Sequence, residues 1–131
     1  MNQSTLNKLN QMHLWGMEAT LKGILGSVQN DKLTADELVE LLVQSEWEYR
    51  ENQKISRCLN NAAFRYQAFI DNIDYSPGRK LDKNLIMRLA DCSYIERAEN
   101  VIITGATGVG KSYIATALGH QACLKGKKVL Y

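Results

Sequence analysis

The sequence predicts an α/β protein in two parts. A helical N-terminal region covers residues 1–95, and residues 96–131 open a parallel-sheet domain that this chain leaves incomplete. Three observations predict it. Apolar residues recur at helical spacing through the first hundred residues. Val101-Ile102-Ile103-Thr104 is a β-branched apolar run of the kind found in buried parallel strands. A glycine-rich turn, Gly105 to Gly110, then leads into a further helical pattern, so strand, turn and helix stand in βα order.

Each element has its own signal. Leu6, Leu9 and Met12, then Met17, Leu21, Ile24 and Leu25, give two short amphipathic segments with a break near Trp15-Gly16. Thr34-Ala35-Asp36-Glu37 is a capping box ahead of Leu38, Leu41 and Leu42. The helix it starts runs through Trp47 and Ile55 towards Leu59, Ala62 and Ala63. The opposite face carries Glu46, Glu48, Arg50, Glu51, Lys54 and Arg57, and a solvated surface is the ordinary reading of such a face. Ile70 to Arg79 breaks the helical pattern, with Tyr75-Ser76-Pro77-Gly78, which holds the chain's single proline, as a turn. Asp82 is placed to cap a short helix bearing Leu85, Ile86 and Leu89, and Tyr94-Ile95 fall in the connection that follows. After the glycine turn, Ile114, Ala117, Leu118, Gln121 and Ala122 keep helical spacing up to a stop at Gly126. Lys127 to Tyr131 begins like a second strand.

Composition narrows the class. At 131 residues and 45% hydrophobic, the chain has the make-up of a globular domain. No apolar run approaches the ~20 residues that span a bilayer, and the start lacks a charged-then-apolar export signal. Cys58, Cys92 and Cys123 are odd in number and scattered, which argues against a disulfide framework or a zinc site and for a reducing cytoplasm. His13 and His120 have no partners at metal-ligand spacing and read as ordinary helix residues. Net charge is +2, unevenly spread: residues 1–100 hold 12 Lys and Arg against 14 Asp and Glu, whereas residues 101–131 hold four Lys and no acidic residue.

The glycine turn carries the chemistry. Gly105-Ala106-Thr107-Gly108-Val109-Gly110-Lys111-Ser112 fits G-x-x-x-x-G-K-[ST], the phosphate-binding loop, at every defined position. Glycines let backbone N–H groups approach phosphate oxygens without a Cβ in the way. Lys111 supplies an ammonium for the β- and γ-phosphates, and the Ser112 hydroxyl is a ligand for Mg²⁺. The helix beginning at Lys111 points its positive end at the same anion. The expected ligands are therefore a nucleoside triphosphate or diphosphate and Mg, and no residue of this chain is expected to be catalytic. Arg65, Arg79, Lys80, Lys83 and Arg88, with Tyr66 and Tyr75, are candidates for a nucleic-acid backbone. Asp71, Asp74, Asp82 and Asp91 interleave with them, and a mixed surface is the plainer reading.

Leu14-Trp15-Gly16-Met17, Glu46-Trp47-Glu48-Tyr49-Arg50-Glu51-Asn52, Phe64-Arg65-Tyr66, Ile73-Asp74-Tyr75, Leu81-Asp82-Lys83 and the run from Asn100 to Cys123 cover nearly the whole chain. Taken together, these stretches resemble the IstB-like family, ATP-binding helpers of bacterial insertion sequences. The resemblance implies a helical region followed by an AAA+ ATPase core related to bacterial helicase loaders. It also implies binding of ATP and DNA, a homo-oligomer at full length, assistance to a cognate transposase, and no membrane. Phosphate-loop roles carry over to Gly105, Gly108, Gly110, Lys111 and Ser112. At Tyr94 and Ile95 the resemblance implies adenine contacts, and core packing is the competing reading.

The resemblance also implies roughly another hundred residues, in line with ordinary domain size, bearing the carboxylates, sensors and arginine finger. Residues 101–131 contain no Asp, Glu or Arg, so hydrolysis by this chain alone is expected to be negligible. In the family's sheet the first two strands are not neighbours. Val101–Thr104 and Val129–Tyr131 are therefore expected to be poorly held, with backbone groups unpaired. Two other readings stand beside the ATPase helper. One is a non-catalytic interaction module whose helices bind transposase or sibling subunits. The other is a replicative helicase loader.

Overall fold

A computed structural model describes residues 1–27 and 32–131. By internal contacts the chain falls into two units, Met1–Lys54 and Ile55–Tyr131. Among the described residues no helix is long and apolar enough to cross a membrane.

In the first unit, helix α1 (Asn2–Gln11) closes without a glycine. His13 takes a left-handed φ of 60°. Its N–H donates to Asn10, and that of Leu14 to Leu9, both at 2.9 Å, which is a Schellman closure. His13 therefore occupies a turn rather than the helix expected for it, and its ring meets Trp15 edge-on at 4.9 Å. Helix α2 (Trp15–Leu25) starts at the expected break. The capping box forms as the sequence predicts. The Glu37 N–H donates to Thr34 Oγ1 at 3.2 Å, the Thr34 N–H donates to Glu37 Oε2 at 2.9 Å, and helix α3 (Ala35–Ala62) follows.

Glu46 overturns its assignment to a solvated face. It is 6% exposed, and the Gly16 N–H donates to its Oε1 at 3.1 Å. Gly16 has no Cβ, so the first turn of α2 lies against the α3 backbone and closes over this carboxylate. Arg50 offers its Nε to the other oxygen at 3.6 Å. Val39, Val43 and Trp47, about one helical turn apart on α3, are each more than half exposed.

In the second unit α3 ends at Ala62, where Ala63 turns left-handed. Two 3-10 turns, Ile70–Asn72 and Pro77–Arg79, occupy the expected break. Asp82 caps helix α4 (Lys83–Ala90) by accepting from the N–H groups of Asn84 and Leu85. Ile86 and Ala90 face the core beside Ile70 and Ile73, while Leu85 is half exposed because it lies a full 100° step from Ile86. Tyr94 and Ile95 belong to a one-turn helix, α5 (Ser93–Glu96), rather than a bare connection. Helix α6 (Lys111–Leu124) buries Ile114, Ala117 and Leu118 against this core. It stops as predicted: Gly126 has φ 80°, its N–H donates to Cys123, and that of Lys127 donates to Ala122.

The predicted strands do not form. Val101–Thr104 and Val129–Tyr131 have no regular secondary structure and no ladder, and no strand occurs among the described residues. A strand exists by pairing with another, and β-branched composition alone does not supply the partner. Ile102 is 85% exposed and Leu130 82%, so the run is not buried either. The last segment is tied by the Tyr131 N–H, which donates to Ala62 at 2.9 Å.

Two cysteines that are scattered in sequence meet in space. Cys58 on α3 and Cys123 on α6 have sulfurs 2.7 Å apart, and the Cys58 thiol also donates to the Lys127 carbonyl at 3.0 Å. Both are free thiols. Burial, then the hydrogen bond and charge of Cys58, push the Cys123 thiol up to about 12. A raised folded-state pKa means that the folded protein holds its proton more tightly than the unfolded chain. The resulting stability is intact below the ordinary thiol value and is lost as pH rises from about 9 towards about 12. Cys123→Ala is expected to flatten this alkaline loss in chemical-denaturant midpoints. Parallel curves for variant and wild type across that window would exclude the effect.

Candidate functional site

The loop from Gly105 to Gly110 joins the Val101–Thr104 segment to α6, and its glycines are needed where they stand. Gly108 has φ 80° and Gly110, the residue before the helix, φ 98°, a region that L side chains rarely enter. A Cβ on Gly105 would lie 3.1 Å from a Val109 methyl carbon. The Gly110 carbonyl accepts the first helical bond, from Ile114, so the loop runs directly into the open N-terminus of α6. Lys111 folds back over the loop and donates from Nζ to the Gly105 carbonyl at 2.7 Å. Ala106 and Thr107 are exposed on the outer arc, and Ser112 is exposed in the first turn of α6.

A cleft of about 640 Å³ opens beside this loop, within the size range of small-molecule sites. Gly108, Val109 and Gly110 form one wall, Tyr113 and Ile114 of α6 another, and Ile73, Asp74 and Arg79 the third. Tyr66 stacks on Tyr113 at 6.3 Å and 17°. The Ser76 hydroxyl and N–H, with the charge of Arg79 behind them, hold the Asp74 carboxyl below the usual range. Arg79 reaches across from the Pro77–Arg79 turn and donates from Nη2 to the Val109 carbonyl at 2.8 Å.

All eight residues from Gly105 to Ser112 thus belong to one loop and helix start. The structure adds Ile73, Asp74 and Arg79, which no local pattern marks as neighbours of the loop. Tyr94 and Ile95 are elsewhere. They line a different cavity of about 370 Å³ with Ile103 and Leu118, and no residue from Gly105 to Ser112 lines it. The basic residues grouped as a nucleic-acid candidate disperse: Arg79 goes to the loop, Arg65 lies over the Tyr131 ring, and Lys83 over that of Tyr75.

Chemically, the cleft offers the Arg79 cation beside the glycines that lead into the α6 N-terminus, and Lys111 lies on the same loop, a combination that suits a polyanion. Ser112, exposed in the turn that follows the loop, carries a hydroxyl of the oxygen-donor type that hard cations take. Asp74 is the one carboxylate lining the cleft.

Comparison with known proteins bears on the ligand. The family model described as IstB-like ATP binding protein matches residues 7–131. A protein of Sinorhizobium fredii named as an insertion sequence ATP-binding protein is 39% identical over 97% of this chain and 52% of its own length. The IS1162 ATP-binding protein of Pseudomonas fluorescens is 38% identical over 100% of the chain and 57% of its own. The IS21 ATP-binding protein of Pseudomonas aeruginosa is 29% identical over 96% and 46%. The chain therefore spans about half the length of the curated relatives it matches.

Proposed function

The chain belongs to the IstB-like ATP-binding family, and from that premise we propose that it is the nucleotide-binding portion of an insertion-sequence helper that assists its transposase by ATP-dependent assembly on DNA. The observation that carries this reading is the loop itself: left-handed Gly108 and Gly110 at the start of α6, with Lys111 lodged on the Gly105 carbonyl. In this reading residues 96–131, the start of an AAA+ parallel-sheet domain, hold the nucleotide, and residues 1–95 form a helical part. Backbone N–H groups from Gly105 to Gly110 cradle the phosphates. Lys111 leaves its carbonyl partner for the β- and γ-phosphates, and Ser112 holds Mg. The reading stops at binding, because residues 101–131 contain no carboxylate to position a metal or a water.

The partners we infer are DNA, a cognate transposase and further copies of the protein, in the cytoplasm. The relatives' names support an insertion-sequence role over a helicase loader. A second reading, an interaction module for transposase or sibling subunits, draws on the exposed stripe of Val39, Val43 and Trp47. The two readings are compatible if the stripe docks the partner and the loop gates assembly.

Titration of the folded chain with ATP in the presence of Mg²⁺ tests the central claim. Saturable binding, competed by ADP and weakened by EDTA, is the expected result. No heat and no thermal shift at millimolar ATP, in a preparation that is helical by circular dichroism, would overturn it.

A further inference from the structure

Arg79 lies outside the phosphate-loop motif, yet its guanidinium stands in the same cleft. It is in place because Pro77 fixes the turn that precedes it and Lys80 adopts a left-handed conformation just after, at φ 52°. Its Nη2 donates to the Val109 carbonyl at 2.8 Å, and a Cβ on Gly110 would fall 2.9 Å from that nitrogen. Glycine at position 110 therefore serves the guanidinium as well as the helix start. The opposite nitrogen, Nη1, is 3.8 Å from Asp74 Oδ2, too long for a hydrogen bond. Asp74 instead accepts from the Ser76 N–H and hydroxyl.

A guanidinium has five donors and matches planar oxyanions in pairs. One neutral carbonyl and one distant carboxylate leave that capacity largely unused. Lys111 is in a parallel situation, with its ammonium on the Gly105 carbonyl. Two cations thus rest on carbonyls of the same loop, one near each end, and the cleft opens on the Arg79 side of it. Their shared unmet preference is for phosphate oxygens, which accept charge-assisted hydrogen bonds roughly twice as strong as neutral ones.

We propose that Arg79 is a second phosphate-binding cation of this site, which leaves the Val109 carbonyl to hold the end of the phosphate chain and makes the cleft prefer nucleoside triphosphates to diphosphates. The inference rests on the reading of the loop as a nucleotide site and extends it to a residue that the motif does not contain. A purely structural strap between the Pro77–Arg79 turn and the loop makes a different prediction, because it would affect every nucleotide alike.

The test is calorimetric titration of the whole chain and of Arg79→Gln and Arg79→Lys with ATP, ADP and adenosine in Mg²⁺ buffer, with thermal melts of each. Arg79→Gln is expected to weaken ATP by about 10-fold or more, ADP by clearly less, and adenosine not at all. Arg79→Lys, which keeps the charge but not the fork, should recover part of the ATP loss. Equal weakening of ATP and ADP by Arg79→Gln, or an unchanged ATP-to-ADP ratio, overturns the proposal while leaving the loop reading intact. Failure of the unmodified chain to bind any of these nucleotides overturns both. If Arg79→Gln melts well below the wild type, the ratio measured on the Lys variant decides: a ratio shifted towards ADP supports the proposal, and one equal to wild type rejects it.

Discussion

Lys111→Ala is expected to lower the affinity of the chain for ATP by roughly two orders of magnitude, without a large change in thermal stability. The size follows from what the ammonium does. Charge-assisted hydrogen bonds contribute about 1.5–3 kcal/mol each, and about 1.4 kcal/mol is a factor of ten. In the proposed role the Lys111 ammonium, with three donors, would meet more than one phosphate oxygen. Its present partner is the Gly105 carbonyl on an exposed loop, a contact that water can replace, so folding should lose little. Lys111→Arg keeps the charge but not the reach, and should fall between the two. The same substitution separates the readings of the whole molecule. Capture of a transposase through the Val39, Val43 and Trp47 stripe should survive Lys111→Ala, whereas ATP-dependent assembly on DNA should not. Unaltered ATP affinity in a folded Lys111→Ala chain would remove the loop from the binding site altogether.

What was legible in the sequence was whatever a local rule determines. Thr34 and Glu37, Asp82, Gly126 and the loop glycines each fix backbone within four or five residues, and each does so as the pattern predicts. Illegible were helix ends made without glycine. His13, Ala63, Cys92 and Ala98 all take positive φ at element boundaries, at a cost that surrounding contacts must offset. Pairings across long sequence gaps were equally hidden: Arg79 to Val109, Cys58 to Cys123, and Gly16 to Glu46. Val101–Thr104 is unpaired, as expected of it, for a related reason. Its residue types fit a buried ladder, but pairing is a property of two segments, and no ladder forms among the described residues.

Gly16 is where such a long-range contact should be felt most strongly in stability. A Cβ there would lie 2.7 Å from the Ser45 carbonyl oxygen, 2.8 Å from Tyr49 Cβ and 2.9 Å from Glu46 Cα. None of these is the end of a flexible side chain, so relief requires moving helix α2 from α3. Two effects then oppose each other. Alanine in a helix is worth about 0.5–1 kcal/mol over glycine, whereas overpacking of this kind costs typically 1–3 kcal/mol. Displacement of α2 also stretches the 3.1 Å bond from the Gly16 N–H to Glu46, a buried carboxylate with little other compensation. The clash should win, and Gly16→Ala is expected to destabilise the first unit by about 1–3 kcal/mol, with Gly16→Val worse. Gly23, in the same helix, has nothing within 4 Å of its virtual Cβ. Gly23→Ala should therefore move the other way, gaining about 0.5–1 kcal/mol. Urea unfolding followed by tryptophan fluorescence, which reads Trp15 beside the contact, compares the two directly. A Gly16→Ala chain as stable as its Gly23→Ala counterpart would mean that the two helices do not meet at the separation described.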